Sequence, residues 1–271
     1  YGRGFALGNL GRFAEAIASF DQALEIKPDD HEAWYNRGFA LDDLGRFAEA
    51  IASYDKALEI KPDDHEAWYG RGFALGNLGR FAEAIASYDK ALEIKPDDHE
   101  AWYNRGIALD DLGRFEEAIA SFDRALEIKP DDPEAWYNRG NALKNLGRLE
   151  EAIASYDQAL EFKPDDHEAW YNRGIALGNL GRFEQAIASY DKALEVKPDF
   201  HQAWYNRGNA LKNLGRLEEA IASYDQALEV KPDFHQAWTN RGNALRNLGR
   251  WAEAIASYDR AVAIKSDDHQ A

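Results

Sequence analysis

Small and apolar residues recur along the chain at intervals of three and four, in two alternating phases. Between residues 32 and 44, Ala33, Trp34, Arg37, Gly38, Leu41 and Leu44 fall on one stripe of a helix. Between 47 and 58, Phe47, Ala50, Ile51, Tyr54, Ala57 and Leu58 do the same. The spacing predicts one helix from Glu32 to Leu44 and a second from Ala48 to about Ile60. Gly45 suits the end of the first, because glycine takes the left-handed conformation there at little cost. Pro62 stops the second. Asp63 and Asp64 stand where a carboxylate can accept hydrogen bonds from the open amides of the next helix and meet the positive end of its dipole. Each unit is therefore a helical hairpin with a short turn, and neither stripe can be buried inside one hairpin alone.

The hairpin recurs. Trp34, Trp68, Trp102, Trp136, Trp170, Trp204 and Trp238 stand 34 residues apart, and the glycines, the Ala-Ile-Ala-Ser run and the Lys-Pro-Asp ending keep the same phase. Complete copies begin at His31, His65, His99, Pro133, His167, His201 and His235, which divides the chain into 1–30 (partial), 31–64, 65–98, 99–132, 133–166, 167–200, 201–234, 235–268 and the start of a further copy at 269–271. Pro133 follows Asp132 directly, and proline is tolerated in the first helical turn, so it marks the same boundary. No linker or low-complexity tract interrupts the series, and a single array over 1–271 is the expectation. The eighth copy drifts most, with Thr239, Trp251, Val262, Ala263 and Ser266; Ser266 removes the proline stop.

Trp34, Gly38, Ala50, an aromatic at Tyr54, Ala57 and Pro62, at these spacings, resemble the tetratricopeptide repeat over nearly the whole chain. The chain departs from that pattern at Arg37, where the family usually has leucine, and at Leu41, where it usually has tyrosine. The resemblance implies an all-α fold, an α-α superhelix of about eight stacked helical hairpins, right-handed, whose first helices line a concave groove that binds a peptide or another protein.

The copies differ mainly at the columns of Asn36, Phe39, Asp42 and Asp43. With Glu32 and Tyr35 these form a second stripe on the first helix, distinct from the buried one. In the family this stripe faces the groove. The candidate peptide-binding residues are the tyrosine column, Tyr35, Tyr69, Tyr103, Tyr137, Tyr171 and Tyr205, and the asparagine column, Asn36, Asn104, Asn138, Asn172, Asn206 and Asn240, with Gly2 and Gly70 as gaps. A carboxamide donates to and accepts from a peptide unit at once, which suits a ligand's main chain. Two other readings stay open: the asparagines bond to a neighbouring helix or to water, and the tyrosines pack between adjacent first helices. Asn141, Asn209 and Asn243 with Lys144, Lys212 and Arg246 make the C-terminal half mildly basic. Asp42, Asp43, Asp110 and Asp111, beside Phe5, Phe39, Phe73 and Ile107, make the N-terminal half acidic and apolar. Basic and apolar ligand side chains are expected toward the first half, an acidic stretch or carboxylate toward the second.

The formal charge of −17 argues against wrapping a phosphate backbone, so no nucleic-acid partner is expected. With no cysteine there is no thiol or zinc-thiolate chemistry. No apolar run reaches membrane length, so no membrane association is expected; the chain begins and ends inside a repeat, as a fragment does, and a cytoplasmic location is the expectation. The Asp-Asp-His-Glu clusters resemble metal ligands, but successive histidines lie one repeat apart, on the order of 10 Å by helix-packing distances. Shared metal ligands must lie within a few ångströms, so these clusters read as exposed caps and no metal or cofactor is expected. Arg37 sits beside the packed stripe and needs a partner; an ion pair with the Asp55 column or stacking on an aromatic ring is expected, with an anion site as the alternative. No nucleophile has a base placed beside it, the abundant Ser53 column included, so no catalytic residue and no enzyme activity are expected.

The primary reading is a protein-interaction scaffold. The alternatives are a structural spacer or self-assembly module, stacking end to end through uncapped termini, and an engineered, consensus-like array without a natural ligand. The end-to-end contact would join Gln270 and Ala271 of one molecule to Tyr1 of the next.

Overall fold

Helices begin and end where the side chains dictate. In the computed structural model, which describes residues 1–267, the Asp64 carboxylate accepts from the Ala67 amide at 3.3 Å. Asp30 and Asp98 cap their helices in the same way, while Asp132 and Asp166 each take two amides. At the other end, Gly45 has φ 70°, the Gly45 amide reaches the Asp42 carbonyl at 2.8 Å, and the Arg46 amide reaches Leu41 at 2.9 Å. This pair of bonds is the Schellman closure, and it needs a residue that tolerates positive φ.

The result is all-α, with sixteen helices among the described residues in the order of about eight hairpins. Two compact units divide within one helix, at Ala142 and Leu143. Tyr1–Ala142 contains α1 (Gly2–Asn9), α2 (Phe13–Ile26), α3 (His31–Asp43), α4 (Phe47–Ile60), α5 (His65–Asn77), α6 (Phe81–Ile94), α7 (His99–Asp111), α8 (Phe115–Ile128) and most of α9 (Pro133–Asn145). The second unit, Leu143–Ala271, contains α10 (Leu149–Phe162), α11 (His167–Asn179), α12 (Phe183–Val196), α13 (His201–Asn213), α14 (Leu217–Val230), α15 (His235–Asn247) and α16 (Trp251–Asp267). The helix ends differ from the sequence expectation by one residue, and α16 runs through Ser266 where the proline stop is missing.

Within each unit consecutive helices pack on one another, from α1 to α8 and from α10 to α16, and first helices also touch first helices: α3 with α5, α5 with α7, α11 with α13, α13 with α15. Second helices make no comparable contact with one another among the described residues. Each unit therefore curves with its first helices on the inner side.

The core repeats with the sequence. Leu41, Tyr54, Ala50 and Ala57 are at most 1% exposed, and Ala40, outside the expected stripe, is equally buried. One expectation changes. Leu44 lies past the end of α3, on the turn that Gly45 unwinds, and is 42% exposed. Gly38 gives room to a ring: a Cβ there would fall 2.8 Å from the Tyr54 ring. The Trp34 indole is half-buried and donates to the Pro28 carbonyl at 2.9 Å, tying the helix to the loop before it.

Arg37 joins three helices. Its Nε donates to Asp21 of α2 at 2.6 Å, its Nη1 donates to Ser53 of α4 at 2.6 Å, and its guanidinium lies 5.8 Å from the Trp34 ring centre on α3. Arg71, Arg105, Arg173, Arg207 and Arg241 repeat the arrangement. The aspartates are about half exposed while the serines are buried, so the two halves of the junction differ in weight. Arg105→Met is expected to lower unfolding stability by about 2–3 kcal/mol, because a charged donor leaves buried Ser121. Asp89→Asn, which removes an exposed pair, should cost about 1 kcal/mol or less. Urea unfolding of both variants orders them; equal losses would refute this division.

Candidate functional site

The tyrosine column stands on the first helices with its rings against the second-helix aromatics: Tyr35 lies 5.9 Å from Tyr54, and Tyr69, Tyr103, Tyr171 and Tyr205 lie 6.0 Å from Tyr88, Phe122, Tyr190 and Tyr224. Tyr137 and the others of this column are half-buried. The asparagines are half-buried beside them.

The two columns are coupled by a hydrogen bond that skips from one repeat to the next. The Asn104 amide donates to the Tyr69 hydroxyl at 3.0 Å, Asn138 to Tyr103 at 3.0 Å, Asn206 to Tyr171 at 2.9 Å, and Asn240 to Tyr205 at 2.9 Å. Asn36 does the same to Tyr1 at 3.1 Å. At Asn36 and Asn104 the same nitrogen also donates to the carbonyl four residues back, Glu32 and Glu100. Both amide hydrogens are then used inside the chain, so the carboxamide cannot donate to a ligand as the sequence reading assumed. Its Oδ1 is the acceptor that remains, while the Tyr1 and Tyr69 hydroxyls are themselves bonded to the Glu32 and Glu100 side chains. One of the readings left open for these columns thus holds, in that the asparagines bond to a neighbouring helix, while the tyrosine rings pack on the second helix of their own hairpin.

Other expected site residues are drawn into internal bonds. Asn172 Oδ1 accepts from the Lys144 ammonium at 2.8 Å. Asn209 Oδ1 accepts from the Tyr224 hydroxyl and the Asn240 amide, both at 2.9 Å, and Asn243 Oδ1 accepts from the Tyr258 hydroxyl. Asn141 and Lys212 are half-buried, Arg246 is exposed, and Thr239, which replaces the last tyrosine, turns back to the His235 carbonyl.

In the first unit the place of Asn209 is taken by apolar Phe39, and the Tyr54 hydroxyl turns instead to Asp42 Oδ2 at 2.6 Å. Burial, eased by that hydrogen bond and worsened by the charge of Asp43, pushes the Asp42 carboxyl up to about 7. Burial, then the charges of Glu100 and Asp98, pushes the Tyr69 phenol up to about 12, against the pull of Asn104. Sequence pattern placed Asp42 on the right stripe but gave no sign of its bond to Tyr54, which lies on another helix.

The Ser53 hydroxyl accepts from Arg37 and donates to the Glu49 carbonyl at 3.0 Å, a structural link with no base beside it. Among the described residues, no three His, Asp or Glu side chains converge as metal ligands, and no helix is long and apolar enough to cross a membrane. The junction expected between chain ends involves residues 268–271, outside the described residues.

The sequence profile of the family described as tetratricopeptide repeat matches residues 1–65, 41–99, 69–133, 103–167, 137–178, 171–229 and 205–269. No curated protein matches the chain. Among solved structures, YrrB, described as a TPR protein with an unusual peptide-binding site, is 30% identical, with TM-score 0.62, over 68% of this chain and 95% of its own. A MamA structure is 26% identical, with TM-score 0.60, over 62% and 92%. The C-terminal part of a TPR repeat-containing protein from Cytophaga hutchinsonii shares the fold at 18% identity, with TM-score 0.76, over 88% and 98%.

The raised Asp42 value has a consequence for stability. Between the ordinary value of 3.8 and about 7, the folded chain holds a proton that the unfolded chain releases. That contribution is complete below the lower value and is lost as pH rises through the upper one. Asp42→Asn is therefore expected to raise the melting temperature over wild type at pH 8, by a few degrees for each ~1–2 kcal/mol, with the advantage vanishing near pH 4. Thermal melts at both pH values check this, and a pH-independent difference contradicts it.

Proposed function

Since the chain belongs to the tetratricopeptide-repeat family, a family of protein-interaction modules, we propose that it is a scaffold that holds an extended peptide against the first-helix face of its units. The observation that carries this reading is the tyrosine–asparagine ladder, which sets a tyrosine hydroxyl beside a carboxamide at the same register in several repeats. A peptide main chain needs polar partners of this kind, whatever its side chains. The ladder is fixed before any ligand arrives, because both partners sit on packed helices, so little ordering entropy opposes binding. The peptide-binding site in the description of YrrB supports the reading by likeness. Side-chain preference then follows the local charge of each unit. Asp42, Asp43, Asp110 and Asp111 on the first favour basic segments; Lys212 and Arg246 on the second favour acidic ones.

Asn104→Ala combined with Asn206→Ala tests the ladder on a peptide array read out by direct binding. Each lost acceptor is worth about 1 kcal/mol, or roughly fivefold, so the pair is expected to weaken bound peptides by about thirtyfold. Unchanged binding, with the helical content intact, would remove the ladder from the site.

A further inference from the structure

The ladder is interrupted at Gly70, and the interruption opens a pocket. Between other consecutive first helices the asparagine narrows the cleft: those lined by Asn36, Asn104 and Asn206 measure about 280, 220 and 280 Å³. Between α3 and α5, where Gly70 stands, the cleft reaches about 500 Å³. A Cβ at this glycine would fall 2.6 Å from the Tyr54 ring, so the ring leans into the place a side chain would take and its hydroxyl reaches Asp42.

The lining has one chemical character. Tyr35, Phe39, Phe47, Tyr54, Tyr69 and Phe73 form the walls, and the charged groups are Asp42, Asp43 and Glu100, with no basic residue among them. Phe39 and Phe73 are 51% and 41% exposed, so the rim is open and apolar. Asp42 Oδ2 takes the Tyr54 hydroxyl, while its Oδ1 is buried without a hydrogen-bond partner. A carboxylate oxygen in that position is satisfied by a donor that carries charge. Aromatic faces attract the same kind of group through their quadrupoles. A hydrated metal ion wants oxygen ligands on all sides and gains nothing from rings, whereas a cation on an apolar stem uses both.

We propose that this pocket receives the cationic end of a long side chain, lysine or arginine, from a peptide held against the first unit; this rests on the scaffold reading above. The stem lies over Phe39 and Phe73, and the head reaches Asp42 Oδ1 in the field of Asp43 and Glu100. A neutral amide could donate to that oxygen but brings no charge to the field of Asp43 and Glu100, and an acidic side chain is repelled.

The test titrates the full chain with the capped peptide Ac-Ala-Ala-Lys-Ala-Ala-NH₂, its arginine, glutamine and glutamate counterparts, and n-butylammonium, by calorimetry and saturation-transfer NMR. The lysine and arginine peptides are expected to bind at least tenfold more tightly than the glutamine peptide. Gly70→Asn, which refills the gap, and Asp42→Asn, which keeps the volume and an acceptor for Tyr54, should each abolish that preference. The second variant decides the matter if the first disturbs Tyr54. Equal binding of all four peptides, with Asn104→Ala weakening each, overturns the pocket and leaves the scaffold reading standing. Butylammonium binding as tightly as the lysine peptide reassigns the pocket to a free small cation and overturns the proposal. Butylammonium binding with no peptide bound at all overturns the scaffold reading, and this side-chain assignment with it.

Discussion

The structure depends on a guanidinium placed where three helices meet. Arg71 reaches back to Asp55 on α4, forward to Ser87 on α6, and lies over Trp68 on its own helix. The arginine thus ties each first helix to the second helices before and after it. A leucine at this position, as in the usual family pattern, would bury apolar area but would leave the angle between helices to packing alone. The planar fork of arginine fixes two directions at once. Desolvation is limited, because the aspartate remains about half exposed and the serine is also held by its own helix through the Glu83 carbonyl. The same junction recurs from copy to copy, so any error in helix angle would accumulate across a unit.

The tyrosine–asparagine ladder is built on that regularity. Asn104 and Arg105 are neighbours on α7 but point to different partners, the arginine to Asp89 and Ser121, the asparagine to the Tyr69 hydroxyl one repeat back. A bond that spans 35 residues in sequence forms in five places with donor–acceptor distances of 2.9–3.1 Å. Such agreement requires that successive first helices be offset by nearly the same step. The ladder is therefore a product of the arginine junction as much as of its own residues.

The helices and their ends were legible because their signals are local: the stripe, Gly45, Asp64 and Pro62 all act within a turn or two of where they stand. Leu44 was misplaced because periodicity continues past the residue at which the backbone has already turned. The Ser53 column drew attention only as a possible nucleophile. Its partner lies sixteen residues away on another helix, and nothing in the pattern links them until the hairpin is closed. The asparagine column was legible as a column, but not in the direction of its hydrogen bonds. That direction depends on the Tyr69 hydroxyl one repeat earlier and on the Glu100 carbonyl one turn back, and only the folded backbone brings both to one nitrogen. The caps show the same limit: Phe200 and Phe234 replace the capping aspartate, yet α13 and α15 begin at the equivalent place. There the phenyl rings pack 4.7 and 4.9 Å from Tyr171 and Tyr205.

Why variation gathers on one stripe follows from where each residue sits. Ala50, Ser53, Tyr54 and Ala57 are buried, and the Tyr54 ring meets both Gly38 and Gly70, so a change in volume there is felt by the neighbouring helices. The columns of Asn36, Phe39 and Asp42 open into the clefts between first helices and can change without disturbing the stack. Accordingly α3, α7 and α13 all keep thirteen residues while carrying Phe39, Ile107 and Asn209 at one position. The core fixes the spacing of the clefts, and the lining of each cleft is left to one or two residues. At Gly70, where no asparagine side chain stands, the cleft between α3 and α5 is wider than its neighbours and is lined by aromatic and acidic groups.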